Sequence, residues 1–208
     1  SMTGKTVVCV VGTRPEAIKM APVVLALRSQ GYFDVKILAT GQHAAMLDQA
    51  LGHFSLTADL NLHIMKERQS LDHITASVLT GAGQYFDAEC PSAVLVHGDT
   101  TTTFASALAA FYRKIPVGHV EAGLRSGNMH LPFPEEMNRV LADRITTWAF
   151  APTELAKENL LREGTPEKMI HVTGNTVIDA LFYTVKSTSR PYCEDLDGLP
   201  ENAPFLLV

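Results

Sequence analysis

The segment Ala93-Val-Leu-Val-His-Gly-Asp99, which four threonines and a largely apolar stretch follow, decides the fold. A short apolar run that ends in Gly-Asp is typical of a buried strand in a parallel sheet, and residues Thr102–Tyr112 have helical spacing. A second apolar run, Pro116–Val120, comes soon after this helix. The order strand, helix, strand predicts a right-handed crossover between two parallel strands.

The same alternation continues in both directions along the chain. Further strands are predicted at Thr6–Val11, Val35–Ala39, Thr147–Ala151 and Ile170–Val172. Further helices are predicted at Ala17–Ser29, Ser70–Ala88, Pro134–Ile145, Glu154–Glu163 and Thr176–Val185. This pattern predicts the α/β class, with a doubly wound, Rossmann-like parallel sheet. In such folds the ligand crevice lies beyond the carboxyl ends of the strands.

The periodic pattern stops after Lys186, which suggests how the chain is divided. We predict one domain over residues 1–186, a connector rich in Ser, Pro, Asp and Glu over 187–204, and the first strand of a second domain over 205–208. A lone terminal strand cannot bury both of its faces. We therefore expect the chain to be the first part of a longer, two-domain protein.

The composition excludes some classes of partner. The chain has 17 basic and 22 acidic residues, a net charge of -5, and no run of Lys or Arg that could follow a phosphate backbone. Nucleic acid is therefore not an expected partner. No apolar stretch approaches the length of a membrane span, so we expect a cytoplasmic protein without a membrane partner.

Cations follow the end of the first predicted strand. This strand runs into Gly12-Thr-Arg-Pro-Glu16, and Lys19 follows one helical turn after Pro15. Proline at the start presets a helix, while Arg14 and Lys19 add cations at the positive end of its dipole. These features suit an anionic phosphate, but an ordinary capped helix explains them equally well. The glycine pattern of a dinucleotide fingerprint and the Gly-Lys-Ser/Thr of a P-loop are absent.

Acidic residues follow two neighbouring strands. Asp99 and Glu121 each come just after a predicted strand, and each has a histidine two residues earlier, His97 and His119. The two-residue period of a strand predicts that each histidine lies on the same side as its acid. Either acid alone could be a helix cap, but a pair at adjacent strand ends favours a site. The pair Glu135-Glu136 adds acids at a helix start, where the helix dipole also favours them.

Several motifs together make the sequence resemble the bacterial non-hydrolysing UDP-N-acetylglucosamine 2-epimerases. They run in family order across nearly the whole chain. The motifs are Gly12-Thr-Arg-Pro-Glu-Ala-Ile-Lys-Met20, Gln42-His43, His97-Gly-Asp-Thr-Thr-Thr-Thr103, Gly118-His-Val-Glu-Ala-Gly-Leu-Arg125, Pro134-Glu-Glu136 and Thr173-Gly-Asn-Thr-Val-Ile-Asp-Ala180.

The resemblance implies one half of a GT-B-type fold, in which two Rossmann-like domains face a cleft. It implies reversible C2 epimerisation of UDP-N-acetylglucosamine to UDP-N-acetylmannosamine, a precursor of cell-surface polysaccharides, without a metal or other cofactor. The UDP is eliminated and added back through 2-acetamidoglucal. Carried over by position, the acid/base group is Asp99, Glu121 and Glu135, and the substrate-binding group is Arg14, Lys19, His97, Thr100 and Arg125.

The resemblance also implies a second UDP-N-acetylglucosamine, bound as an allosteric activator, and a homodimer. The matching activator positions are Gln42, His43, Arg68, Gln69 and Glu135. Ala44 and Ala45 depart from the polar pair that often follows Gln-His in the family. This departure puts the activation in question.

Three other functions stay open. A hydrolysing 2-epimerase would use nearly the same residues and release free sugar and UDP. A metal-dependent hydrolase could use His97, Asp99, His119 and Glu121 as ligands, although isolated histidines at strand ends are more often hydrogen-bonded crevice residues. The chain by itself could be a non-catalytic sugar-nucleotide-binding domain, and we expect it to be folded but nearly inactive without its second half.

Overall fold

Seven parallel strands form one sheet in the computed structural model, which describes residues 5–41, 43–64 and 69–173. The order across the sheet is β3-β2-β1-β4-β5-β6-β7. The strands are β1 Lys5–Val11, β2 Phe33–Ala39, β3 Leu60–Asn61, β4 Ala93–His97, β5 Val117–Val120, β6 Trp148–Ala151 and β7 Ile170–Val172. From β1 the chain winds outward to β3, and it returns beside β1 at β4. The predicted doubly wound α/β fold is confirmed.

Six α-helices connect the strands of the described part of the chain. They are α1 Arg14–Ser29, α2 Ala44–Gly52, α3 Leu71–Glu89, α4 Thr101–Tyr112, α5 Glu135–Ile145 and α6 Glu154–Arg162. Five of them match predicted helices within a few residues, whereas α2 and β3 were not predicted. The predicted helix Thr176–Val185, the connector and the terminal strand lie outside the described residues. None of the described helices is long and apolar enough to cross a membrane, and the cytoplasmic location stays a prediction.

The core lies on both faces of the sheet because the strands are buried on both sides. Along β1, Val7, Cys9 and Val11 pack with residues of α1 and α2, whereas Val8 and Val10 pack with residues of α3 and α4. Burial raises the pKa of the Cys9 thiol to about 12, so this cysteine is a neutral core residue. The sheet is therefore a rigid frame for the loops at its carboxyl edge.

At Gly123 the structure has no room for a side chain. Its φ is +86°, and a Cβ atom would lie 2.4 Å from the carbonyl oxygen of Ala156. We expect Gly123→Ala to lower the free energy of unfolding by about 1–3 kcal/mol from the backbone strain alone. Urea titration followed by circular dichroism measures it. The control is Gly52→Ala, where a Cβ meets no atom within 4 Å. Equal stability of the Gly123→Ala variant and the wild type would contradict the packing argument.

Candidate active site

The candidate acids Asp99 and Glu121 follow the carboxyl ends of two neighbouring strands, β4 and β5. His97 of β4 pairs with Val120 of β5, and the amide of Gly98 donates to the carbonyl of Val120 at 3.0 Å. The chain then leaves the sheet at both positions through left-handed backbone, with φ of +75° at Gly98 and +65° at Glu121. A positive φ is uncommon for a residue with a side chain and is typical of functional sites.

The Glu121 carboxylate lies between two groups that can carry positive charge. The Nζ atom of Lys19 is 2.6 Å from Oε1, and the Nε2 atom of His97 is 3.4 Å from Oε2. His97 is almost fully buried, whereas the Lys19 side chain is 53% exposed. The contacts with His97 and then Lys19 outweigh burial and lower the pKa of Glu121 to about 2. Glu121 is therefore ionised at neutral pH and lies beside an exposed cation.

The prediction that each histidine shares a side with its own acid is wrong. His97 faces Glu121 of the neighbouring strand, and His119 points into a buried cluster away from Glu121. The two-residue alternation holds only for extended backbone. Gly98 and Glu121 interrupt it, since both have a positive φ.

His119 is the centre of a buried ionic cluster. Its Nδ1 donates to Oδ1 of Asp143 at 2.5 Å, and its Nε2 donates to the carbonyl of Gly98 at 2.7 Å. Both partners can only accept, so the ring carries two protons and is an imidazolium. Burial alone would lower the pKa of His119, but Asp143 and the Gly98 carbonyl raise it above its usual value. With both nitrogens engaged, His119 is not available as a metal ligand.

The same cluster holds Arg125. Its guanidinium donates to Asp143 at 2.8 Å and to both carboxylate oxygens of Glu163 at 2.8 Å, and the side chain is 9% exposed. The second oxygen of Asp143 also accepts from the amide of Gly123 at 3.0 Å. These contacts give Arg125 a role in stabilising the fold. Its role in binding the substrate stays a prediction.

The His119 imidazolium makes stability depend on pH. Because its pKa is higher in the folded protein than the usual value of about 6.5, its contribution is complete below about pH 6.5 and is lost as the pH rises through the folded value. We expect unfolding free energy to fall above pH 6.5 with a slope of up to about 1.4 kcal/mol per pH unit. Urea titrations between pH 6 and 9 measure it. The slope should disappear in His119→Gln and persist in the control His130→Gln, and a flat wild-type profile would contradict the imidazolium.

Helix α5 holds Asp99 from two directions. The side-chain amide of Asn138 donates to the backbone carbonyl of Asp99 at 3.1 Å. The guanidinium of Arg139 lies 3.4 Å from the Asp99 carboxylate. Asp99 is partly exposed, so it faces solvent while its backbone is fixed. Sequence analysis gave Asn138 and Arg139 no role.

The acidic pair that begins α5 divides into two roles. Glu136 is buried, and its carboxylate accepts from the amides of Ser126 and Gly127 and pairs with Arg139. Burial would raise the pKa of Glu136, but these donors lower it below its usual value. Glu135 is half-buried and lines a cavity of about 210 Å³ with Thr13, Thr100 and Asn138. Glu136 therefore shapes the loop, and Glu135 faces the open space.

Helix α1 begins with a cap formed by its own residues. Thr13 is the N-cap, and the Glu16 carboxylate accepts from the amides of Gly12 at 2.6 Å and Thr13 at 2.7 Å. The other Glu16 oxygen accepts from the Thr100 hydroxyl at 2.8 Å. The capping box accounts for the local geometry at the start of α1, and the binding of an anionic phosphate there stays a prediction. Arg14 and Lys19 remain exposed beside it.

The predicted activator residues do not all line one described cavity. Gln69 lines a cavity with His63 and His73, whereas Glu135 lines the cavity beside Thr100. His43 is exposed and precedes α2 with φ of +59°. Gln42 and Arg68 lie outside the described residues. The activator site stays a prediction.

Some of the missed residues had a signal in the sequence. Thr13-Arg-Pro-Glu16 is a capping box, a motif that a local search finds. Asp143 had no local signal, because its partners lie in other elements. Among the described residues, no group of three or more His, Cys, Asp or Glu side chains is arranged to hold a metal ion.

Comparison with known proteins identifies the family of the chain. A model of the family described as UDP-N-acetylglucosamine 2-epimerase matches residues 25–208. The UDP-N-acetylglucosamine 2-epimerase of Salmonella typhimurium is 54% identical over 208 residues, which cover 97% of this chain and 55% of that protein. The enzyme of the same name from Bacillus subtilis is 55% identical over 203 residues, covering 97% of this chain and 53% of that protein.

A solved structure extends the likeness to three dimensions. The UDP-GlcNAc 2-epimerase from Neisseria meningitidis bound to UDP-GlcNAc is 53% identical with a TM-score of 0.80, over 87% of this chain and 49% of that chain. The present chain spans about half the length of the curated relatives it matches. It corresponds to one Rossmann-like half of their GT-B arrangement. The chain belongs to the UDP-N-acetylglucosamine 2-epimerase family.

Proposed function

We propose that the whole protein interconverts UDP-N-acetylglucosamine and UDP-N-acetylmannosamine without net hydrolysis. The observation that carries this proposal is the Glu121 carboxylate, which lies between Lys19 and His97 just after the strand that neighbours the strand preceding Asp99. A group that removes a proton must be ionised and within reach of the substrate. Glu121 meets the first condition through its two neighbours and the second through its partial exposure.

The chemistry requires a base, an acid and cations. The C2 hydrogen is not adjacent to a carbonyl, so direct carbanion formation would be costly. In the proposed route the anomeric C–O bond breaks first, and UDP leaves with the bonding electrons. A carboxylate then takes the C2 proton and 2-acetamidoglucal forms. Protonation of C2 on the opposite face and return of UDP to C1 complete the balance, so no water is consumed.

The described residues supply these groups. Asp99, Glu121 and Glu135 are the proposed acid/base group, because each is a partly exposed carboxylate near the carboxyl edge of the sheet. Lys19 and Arg14 are the proposed cations for the leaving diphosphate, because both are exposed on α1 and Lys19 contacts Glu121. Preorganised cations at developing charge are a large source of rate enhancement.

The activity requires a second domain in this proposal. The chain spans about half of its curated relatives, so we infer that the rest of the protein holds most of the nucleotide. The 208-residue chain alone is then a folded domain with little turnover. Turnover by this chain at the rate of the full-length protein would refute the proposal that a second domain is required. The homodimer and activation by a second UDP-N-acetylglucosamine are further proposals, and sedimentation and substrate-saturation kinetics test them.

Proton NMR in deuterated water tests the function directly. Full-length protein is given UDP-N-acetylglucosamine, and the C2 position and the anomeric signals are followed. Appearance of UDP-N-acetylmannosamine with deuterium at C2 is the expected result. Free N-acetylmannosamine and UDP in its place would mean that the protein is a hydrolysing relative. A C2 hydrogen that never exchanges would refute epimerisation.

A further inference from the structure

Three side chains of the described structure fix the Gly98-Asp99 segment. His119 donates to the carbonyl of Gly98 at 2.7 Å, Asn138 donates to the carbonyl of Asp99 at 3.1 Å, and Arg139 lies 3.4 Å from the Asp99 carboxylate. The first two donors come from β5 and α5, so elements distant in sequence meet at one dipeptide. The Gly98 carbonyl, the Asp99 carbonyl and the Asp99 carboxylate therefore each have a separate donor.

The donors to this backbone are buried, whereas the Asp99 carboxylate is not. His119 is fully buried, and Asn138 is 1% exposed. The Asp99 side chain, by contrast, is 36% exposed. The backbone is thus held by groups that water cannot reach, while the carboxylate remains accessible. A surface cap would not require buried donors on its carbonyls, but a reacting group held in one position would.

Arg139 is itself held in place. Its Nε atom donates to Oε2 of Glu136 at 2.5 Å, and Glu136 accepts from the amides of Ser126 and Gly127 at 3.0 and 3.1 Å. The planar guanidinium is therefore oriented on one side by a fixed carboxylate. Its remaining nitrogen points at Asp99. A lysine has no second nitrogen with which to span both acids.

We propose that Arg139 and Asn138 are positioning residues that hold Asp99 in the geometry needed for proton transfer at the sugar. This inference rests on the epimerase function proposed above. Arg139 acts on the Asp99 carboxylate and Asn138 on the Asp99 backbone. Because a misplacement of about 1 Å at a reacting group can cost about 100-fold in rate, removal of Arg139 should lower kcat and leave KM nearly unchanged.

A double-mutant cycle in the full-length protein tests the proposal. Arg139→Met, Asp99→Asn and their combination are assayed through deuterium incorporation at C2. We expect Arg139→Met alone to lower kcat by about 10- to 100-fold with KM within about threefold. In the Asp99→Asn background it should have almost no further effect, because it acts through that carboxylate. Arg144→Met is the matched control on α5, since Arg144 donates to the backbone of Glu163 and should retain wild-type kcat.

Two further variants separate positioning from folding. Arg139→Ala should regain kcat when guanidinium is added at concentrations that leave the fold intact, and Arg139→Lys should lie between the wild type and Arg139→Met. Equal losses from Arg139→Met in the wild-type and Asp99→Asn backgrounds, or wild-type kcat in Arg139→Met, would overturn the proposal.

A measurement without turnover distinguishes this proposal from the proposed function. In the 208-residue chain with ¹³C-labelled aspartate, Arg139→Met should move the carboxyl signal of Asp99, and Arg144→Met should not. A moved signal together with an inert full-length wild type would refute the epimerase function and leave the contact in place. An unmoved signal would refute the contact, whatever the activity.

Discussion

Replacing Glu121 by glutamine is expected to lower kcat for C2 epimerisation by about 10³-fold while the protein stays folded. Glutamine has almost the same shape, but its neutral amide cannot accept the C2 proton. It also cannot attract Lys19, which lies 2.6 Å from the carboxylate. The loss of this half-exposed ion pair should change the stability by no more than about 1 kcal/mol, so the kinetic and folding effects are separable.

The assay follows the appearance of UDP-N-acetylmannosamine from UDP-N-acetylglucosamine in the full-length protein. Glu158→Gln is the matched control, because Glu158 is exposed on α6. It should keep wild-type kcat. A Glu121→Gln variant with more than about a tenth of the wild-type kcat would remove Glu121 from the acid/base group.

Replacing Asp143 by alanine is expected to lower the free energy of unfolding by about 3–5 kcal/mol. The Asp143 carboxylate pairs with His119 on one oxygen and with Arg125 and the Gly123 amide on the other. His119 and Asp143 are both almost completely buried. Without Asp143, His119 would either remain a buried charge with no counterion or lose its proton, and Arg125 and the Gly123 amide would lose an acceptor, so either outcome costs stability.

Urea unfolding of the 208-residue chain at pH 6 measures this effect, because His119 is then charged in both the folded and unfolded states. The control is Asp48→Ala on the exposed side of α2, which should change the stability by less than about 1 kcal/mol. A loss of less than about 1 kcal/mol for Asp143→Ala would mean that the cluster is not a stabilising element. The urea concentration at the midpoint does not by itself give the free energy of unfolding, so the slope of each titration must also be compared.

Much of the fold could be predicted from sequence because most strands are buried on both faces. β1, β4 and β5 contain apolar runs that a sequence pattern identifies, and the helices between them have clear periods. α2 and β3 were missed for physical reasons. α2 has only nine residues and follows His43 in left-handed conformation with no side-chain cap, and β3 has two residues with no buried side chain. Neither element has a pattern long enough to recognise.

The candidate acids could be predicted from the sequence, whereas the residues that hold them in place could not. Asp99 and Glu121 come soon after two strands that are neighbours in the sheet, as predicted. The partner of each histidine depended on the backbone turns at Gly98 and Glu121, which a strand period cannot anticipate. The contacts of Asn138 and Arg139 with Asp99 span about 40 positions, and only the packing of α5 against the sheet edge reveals them.

The turns at the amino edge of the parallel sheet can vary in sequence, because the candidate acids lie at the opposite edge. The turns that lead from helices into strands contain Gly31 and Gly164, and a Cβ atom at either would meet no other atom within 4 Å. A peptide tag or a fluorescent reporter inserted at these turns would emerge on the side of the sheet opposite Asp99 and Glu121. Homologues could therefore gain insertions at these turns without a change at the candidate active site. The protein could also be immobilised by the same edge.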